Sequence, residues 1–437
     1  MLYTYLQGQE IDLGWEFYLP LAGLVLLIAL AVPVWVAIGL GVFAMLLLTG
    51  VLPVSMLGEA LFNGVDSFAL IAVPLFILTG DVLVRTRLSD KLLDIAEATV
   101  GGLRSGFGTS TVLACGFLSY ISGSDSADAA AITRMTLDRL VAQGYPRPYA
   151  CALIASGACT GILIPPSIAY IIIGLVLGIS ASTLFLAAMI PGMIILAAIM
   201  LTNIVLNRIH GYENAAGRPS MRHWLKTVYD GRYALIIPFV ILGGIYSGVF
   251  TPTEAAAVAV VTTMVIGLAQ GTLTLADFPR MLESSAKVNG VILPIIALAL
   301  PLAQVLAALQ VPQAIVHAMT SFTDSRTLVI LLMIAILMIA GCVMETTPNI
   351  VILAPMLLPV AREIGMDDIH FCIVMVTTLG LGFVTPPFGL NLFVVSGLSG
   401  EPVMAIARRA LPYVAVMLGV VLMLAFIPWL SLVLLQD

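Results

Sequence analysis

Charge is scarce in this 437-residue sequence. Asp, Glu, Lys and Arg make up 10% of it and hydrophobic residues 61%, where a soluble domain carries about 25% charged residues. With a mean hydropathy of +1.12, every soluble class is excluded, and the chain reads as an all-α polytopic membrane protein. Histidine and cysteine are few and scattered. His210, His223, His317 and His370 fall in separate segments, and Cys115, Cys151, Cys159, Cys342 and Cys372 lie within apolar runs without a CxxC pair. Those cysteines read as small buried hydrophobes, and no transition-metal site is expected. No GxSxG, HExxH or Walker pattern is present, so an enzyme is not expected. The net charge of −6 sits in loops, with no basic patch interleaved with aromatics, which argues against a nucleic-acid partner. Met1 to Glu10 lacks the basic region and cleavage site of a signal peptide, so the first transmembrane helix is expected to direct insertion.

What is present begins with Ser122-Gly-Ser-Asp-Ser-Ala-Asp128, a polar interruption between two apolar segments. The preceding segment, Phe107 to Ile121, would rise only about 22 Å as a helix, short of the roughly 30 Å hydrocarbon core. A re-entrant hairpin with its tip near the midplane is the simplest geometry. Unpaired backbone groups at such a tip are tolerated only when buried in protein or lining a watery cavity, which makes the tip a candidate ion or substrate site. The construction occurs twice. Met135, Gly144, Cys151, Gly161 and Pro165-Pro166 recur 221 positions later as Met356, Gly365, Cys372, Gly382 and Pro386-Pro387. The same offset carries the first tip onto Val343-Met-Glu-Thr-Thr-Pro-Asn349, another polar interruption. Two halves, each with a hairpin tip and a double proline about 40 residues on, form the internal-repeat signature of a secondary transporter.

Charge asymmetry then orients the chain. Residues 1–207 form a first repeat, with scaffold helices within 17–84 (about 17–32, 34–52 and 69–84), an outer interfacial helix at 53–68, a cytoplasmic-surface piece at 88–104, a cytoplasm-opening hairpin at 105–143 and a broken helix at 149–179. A span at 183–207 leads to a cytoplasmic linker, 208–232, rich in Arg and Lys. Residues 233–437 repeat the plan with sides exchanged: spans at about 233–250 and 252–270, an inner amphipathic piece at 274–288 and a long span at 289–320. An outward-opening hairpin at 327–361, a broken helix at 369–398 and a last helix at 410–435 complete it. This inverted-topology arrangement places 14 of the 18 Lys and Arg residues in cytoplasmic pieces, and only Arg326 and Arg362 outside. Both termini are expected outside the cytoplasm.

Two tips and two double-proline breaks should converge at the midplane. Helix ends there offer carbonyls for a cation and amides for a carboxylate. A small hard cation needs about five or six oxygens, which Ser122, Ser124, Thr346, Thr347, Thr385 and Asn391 are placed to help supply. The alternative is that Ser and Thr merely satisfy the local backbone. Asp125, Asp128 and Glu345 are carboxylates at or beside the tips, where intramembrane charge marks function by default. Asp128 equally suits an N-terminal cap of the returning arm. Glu345 is the stronger functional candidate, as counter-charge, substrate contact or proton carrier, and Arg134 reads as a snorkelling side chain.

At these residues the chain resembles the DctM-like large membrane subunit of tripartite ATP-independent periplasmic (TRAP) transporters. The resemblance is carried by PLFILTGDVL (Pro74–Leu83), SGSDSADAAAI (Ser122–Ile132), GILIPPSIAYIIIG (Gly161–Gly174), LFLAAMIPG (Leu184–Gly192), YSGVFTPTEAAAVAV (Tyr246–Val260) and VTPPFGLNLFV (Val384–Val394). Asp125 departs from the family pattern, which has a small or hydroxyl residue there. The resemblance implies an elevator-type fold, in which a mobile domain with both hairpins slides against a scaffold, and sodium as coupling ion. It implies a bacterial inner-membrane location in contact with lipid and an organic acid substrate. Two partners are also implied, a small membrane (Q) subunit of about four helices and a periplasmic substrate-binding (P) protein. By motif, ion-binding positions fall on Ser122, Gly123, Ser124, Pro165, Pro166, Thr346, Thr347, Thr385, Pro387 and Asn391. Ser122, Ser167 and Glu345 are expected nearest the substrate. The alternative reading is a stand-alone sodium/carboxylate symporter of the divalent-anion type, which shares hairpins and TPP-type breaks.

Overall fold

The computed structural model describes residues 14–102, 105–213, 220–323 and 325–435. Glu10 and Asp12 of the N-terminus expected outside, Arg104, Arg218 and Asp437 lie outside the described residues. Among the described residues the chain is helical throughout, with no strand, and six helical segments are long and apolar enough to cross a membrane. A seventh is reached if a bent pair in the central linker counts as one span.

Three helices open the chain: α1 (Trp15–Ala29), α2 (Val34–Thr49) and the short α3 (Met56–Val65). A 3-10 turn at Phe68–Ile71 runs into α4 (Ala72–Arg85), and α5 (Leu88–Val100) follows. The first hairpin is α6 (Gly106–Ser122) and α7 (Asp125–Ala142). The first broken helix is α8 (Arg147–Ala158), a 3-10 turn at Cys159–Ile162, and α9 (Ile168–Leu177). Proline supplies no amide and crowds the preceding turn, so the pair Pro165-Pro166 leaves residues 163–167 outside any helix. Next comes α10 (Ala181–His210), 30 residues long.

The linker is more structured than its composition suggests. It holds α11 (Met221–Asp230), which meets α12 (Arg232–Tyr246) at a 69° bend. Before it, Glu213 is buried at 3% exposure. Its carboxylate accepts from the amides of Phe107 (2.7 Å) and Gly108 (3.3 Å) and from the Tyr145 hydroxyl (2.8 Å). The linker therefore caps the base of the first hairpin. Burial, and then the Glu213 carboxylate, push the Tyr145 phenol up from its ordinary value.

In the second half, α13 (Pro252–Ala269) starts at the TPTEA motif because Thr251 caps the amide of Glu254 while Glu254 reaches back to that of Thr251. Pro252 occupies the first helical position, where its missing amide leaves nothing unpaired. The expected amphipathic piece at 274–288 is not separate from the following span. Instead α14 (Phe278–Ala297) runs through both, and the expected 289–320 span is divided into the end of α14, α15 (Ala299–Ala308) and α16 (Val311–Phe322). Pro301 explains the first division, since it offers no amide to the Ala297 carbonyl one turn back. That carbonyl faces Gly64 of α3, where a Cβ would lie 2.7 Å from its oxygen. Gln310, at φ +56°, makes the second division.

The second hairpin is α17 (Arg326–Val343) and α18 (Thr346–Glu363). The second broken helix is α19 (Asp368–Gly382) and α20 (Leu390–Ser399). The last long helix, α21 (Val403–Phe426), starts earlier than expected and stops before Pro428, leaving the short α22 (Trp429–Leu432). Element positions recur at the offset of the sequence identities: α7 and α18 start 221 residues apart, as do α8 and α19, and the Pro165-Pro166 and Pro386-Pro387 bonds are both cis. The two sets interlock, with α9 packed on α18 and α20 packed on α7.

Candidate functional site

The hairpin tips are tighter than the seven-residue polar stretches that mark them. Only Gly123 and Ser124 lie between α6 and α7, and only Met344 and Glu345 between α17 and α18. Asp125 to Asp128 instead form the first turn of α7, where carboxylates favour the positive end of the helix dipole. Gly123 turns the chain at φ +59°, and a Cβ there would sit 3.2 Å from both the Pro166 carbonyl oxygen and the Ile168 amide. Glycine thus lets the first tip touch the first proline break. Gly161 does the same one turn away, since a Cβ there would lie 2.7 Å from the Cα and amide nitrogen of Asp125.

Side chains then lock the tip. Asp128 accepts from the hydroxyls of Ser122 (2.6 Å) and Ser119 (3.3 Å), so its two oxygens hold the first arm and do not cap amides of the second. The capping alternative is set aside for this residue because those hydroxyls reach it first. Ser119 also pairs with Thr160 of the first broken helix at 3.1 Å. Asp125 is 3% exposed; one of its oxygens accepts from the Ser126 amide at 2.9 Å and the other has no partner. At the second tip, the buried Thr346 hydroxyl likewise has no partner.

Both tips open on one cavity of about 400 Å³. Its walls take Ser122, Gly123, Ser124, Asp125 and Asp128 from the first hairpin and Glu345, Thr346 and Thr347 from the second. Further lining comes from α4 (Ile77, Gly80, Asp81, Val84), the start of α5 (Ser89, Asp90) and α14 (Ser284, Ser285, Val288, Ile292). Other expected site residues lie elsewhere. Ser167 is fully buried and its hydroxyl caps α9 by accepting from the Ala169 amide at 3.2 Å, while its neighbour Ile168 reaches the cavity. Pro165 and Pro166 stand behind the tip, and Thr385 bonds the Leu381 carbonyl at 2.8 Å. Pro387 is exposed away from the cavity walls. Asn391 is buried against the first broken helix, donating to the Ala155 carbonyl at 3.3 Å, with its own oxygen unpartnered.

Four polar contributors had not been singled out in the sequence: Asp81, Ser89, Asp90 and the Ser284-Ser285 pair. Asp81 carried a readable signal, being an acidic residue inside the apolar PLFILTGDVL run. The serines carried none, since nothing local distinguishes them from serines that satisfy their own helix.

The motif set and this geometry agree with a comparison of families. The family described as "Tripartite ATP-independent periplasmic transporter, DctM component" matches residues 21–430. The chain belongs to that family. It is similar to the C4-dicarboxylate TRAP transporter large permease protein DctM of Pseudomonas aeruginosa, 36% identical over 86% of this chain and 88% of that one. It is also similar to the 2,3-diketo-L-gulonate TRAP transporter large permease protein YiaN of Escherichia coli, 34% identical over 90% and 94%. Against the isethionate TRAP transporter permease protein DctMQ of Oleidesulfovibrio alaskensis it is 32% identical over 92% of its own length and spans 64% of that protein. Among solved structures, the YdaH transporter of Alcanivorax borkumensis superposes with a TM-score of 0.59 at 15% identity, covering 86% of this chain and 88% of that one. MtrF of Neisseria gonorrhoeae gives 0.59 at 12%, covering 86% and 84%. These two share the fold of this DctM-family chain.

Proposed function

We propose that this chain is the large permease of a binding-protein-dependent uptake system that moves an organic acid across the inner membrane, driven by sodium, by an elevator motion. One observation carries the reading. One cavity is lined both by the two hairpin tips and by α4, α5 and α14, helices outside the hairpin and broken-helix sets. A substrate bound there touches both bodies that an elevator requires to slide past each other. Names of relatives that include "large permease" and "DctMQ" favour a small membrane subunit and a periplasmic binding protein over the stand-alone symporter.

The coupling ions are assigned to two oxygen-rich sets. Ser122, Gly123 and Ser124 with Pro165 and Pro166 form the first, supported by the contact of Gly123 with the Pro166 carbonyl. Thr346 and Thr347 with Thr385, Pro387 and Asn391 form the second, supported by the unpartnered oxygens of Thr346 and Asn391. A carbonyl or hydroxyl oxygen buried without a donor is a ready cation ligand. Glu345 and Ser122 face the substrate directly, and Ser167 acts from beneath by fixing the start of α9.

The test is thermal unfolding of the purified chain in sodium against potassium or choline at equal ionic strength. An ion at 100 times its dissociation constant adds about 2.7 kcal/mol, a shift that is easily read. A sodium-specific rise is expected, reduced by Ser124→Ala and by Thr347→Ala. Equal melting in all three salts would end the sodium assignment. Uptake into proteoliposomes that needs no binding protein would end the tripartite one, uptake unaffected by Glu345→Ala would end the substrate contact, and uptake unaffected by Ser167→Trp would end the supporting role of the start of α9.

A further inference from the structure

The cavity wall carries a single cationic side chain, and that side chain is uncommitted. Arg134 stands on α7 nine residues past Asp125, about 14 Å along the helix axis from the tip. Among the lining residues it is the sole Lys or Arg. Nearby arginines are paired: Arg85 with Asp81 at 3.1 Å, Arg139 with Glu97 at 2.8 Å and Arg147 with Asp138 at 3.5 Å. Arg134 makes no hydrogen bond or ion pair among the described residues. It also lies on the cavity face of its helix, because Ala127, Ala130 and Ala131, at seven, four and three residues before it, line the same cavity. Three alanines leave that face open, so the guanidinium has room for a ligand beside it.

The remaining titratable side chains on the walls are all acidic: Asp81, Asp90, Asp125, Asp128 and Glu345. A guanidinium fork takes one carboxylate in a bidentate grip. A second carboxylate on the same ligand would lie among these acidic groups, which offer it no cation. Hydroxyl groups, in contrast, donate well to those carboxylates and to the tip hydroxyls. We propose that Arg134 is the anion-binding residue of the cavity and that the substrate class is a hydroxylated monocarboxylic acid, its carboxylate on Arg134 and its hydroxyls toward Asp125 and Glu345. This rests on the transport reading above and names the substrate of that same cavity.

The test uses the full chain with Ala130→Cys, one turn from Arg134; the five native cysteines are buried and serve as an unreactive background. Labelling rates are measured with an anionic thiol reagent, ethylsulfonate methanethiosulfonate, and with its cationic trimethylammonium counterpart. Adding Arg134→Gln is expected to lower the anionic-to-cationic rate ratio about tenfold, and Arg134→Lys to preserve it. An unchanged ratio in Arg134→Gln overturns the anion site. Gluconate, succinate and sorbitol are then compared as protectants at equal osmolarity. Protection by gluconate that is lost in Arg134→Gln, with little from succinate or sorbitol, is the expected result. Protection by succinate equal to that by gluconate, or by neither acid, overturns the substrate class. The rate ratio needs no transport, so failure of the uptake reading and failure of the Arg134 assignment are read separately.

Discussion

Removing the Glu213 carboxylate should loosen the base of the first hairpin without touching the cavity. In the folded chain that carboxylate accepts from two backbone amides at the start of α6 and from the Tyr145 hydroxyl. Its backbone is fixed in turn by Asn207, which accepts from the Glu213 amide at 2.9 Å and donates to its carbonyl at 3.0 Å. Glu213→Ala leaves the two amides and the phenol buried without that acceptor, each at about 1–3 kcal/mol. The positive end of α6 also loses its counter-charge. Because the bonds share one group the losses do not simply add, and a total of about 3–5 kcal/mol is expected. Glu213→Gln keeps one acceptor oxygen but turns an amide toward a donor, so about half the effect is expected. Thermal unfolding reads the global loss, and hydrogen exchange reads the local one. Exchange of the Phe107 and Gly108 amides should rise about a hundredfold in Glu213→Ala, the equivalent of about 2.7 kcal/mol. Unchanged protection at those two amides would refute the capping role, whatever happened to the melting temperature.

Gly161→Val should be severe, because a Cβ already falls 2.7 Å from the Asp125 backbone; overpacking of about 1–3 kcal/mol in the melting curve, with uptake abolished, is the expected result, and a wild-type melt would show that the tip has room. Asn349 donates to the carbonyls of Ala340 at 3.2 Å and Met344 at 2.9 Å. Asn349→Asp puts an acceptor against two acceptors and should lower stability by at least about 2 kcal/mol, while an unaffected melt would mean those bonds contribute nothing. At the base of the second hairpin, Arg362 grips Asp368 through two bonds of 2.8 and 2.6 Å. The guanidinium holds the Asp368 carboxyl below the usual carboxylate range. A depressed folded-state value means that the pair's stabilisation is present above about pH 4 and is lost as pH falls through the folded value. Both side chains are at least a third exposed, so the effect is under about 1 kcal/mol. The melting difference between wild type and Asp368→Asn should be small at pH 7 and shrink as pH falls below about 4, and a difference that grows on acidification would contradict the pairing.

Much of this architecture was legible because the bilayer removes options. Helices must satisfy their own backbones there, so a segment too short to span, followed by polar residues, had few geometries available. That logic expected polar breaks within 105–143 and 327–361, and helices are interrupted at Gly123-Ser124 and Met344-Glu345 inside those stretches. It misjudged the tips, since it counted Asp125 to Asp128 as loop, although acidic and hydroxyl residues are good company for a helix start. It also merged 289–320 into one span and separated 274–288 from it, because hydropathy does not register the amide that Pro301 lacks. Of the residues lining the cavity, Ser122, Ser124, Glu345, Thr346 and Thr347 stand out in the sequence from their own positions. Asp90, Ser284 and Ser285 do not, because only packing of distant helices brings them to the same cavity.

The recurrence at 221 residues shows how one backbone plan takes two chemistries. Asp128 and Asn349 occupy equivalent places, and both reach back from the first turn of a returning arm to the arm before it. Their polarity is opposite: Asp128 accepts from the hydroxyls of Ser119 and Ser122, whereas Asn349 donates to backbone carbonyls. The reason lies in the first arms. Positions equivalent to Ser119 and Ser122 are Ala340 and Val343, which offer no hydroxyl, so the second tip needs a donor where the first needs an acceptor. The first tip thereby holds Asp125 and Asp128 side by side, while its counterpart places a single carboxylate, Glu345, on the cavity. Carboxyl groups are gathered on the first hairpin, the same hairpin whose returning arm carries Arg134. The asymmetry of the cavity walls therefore runs mainly along α7, with its acidic end at the tip and its cationic group two and a half turns away.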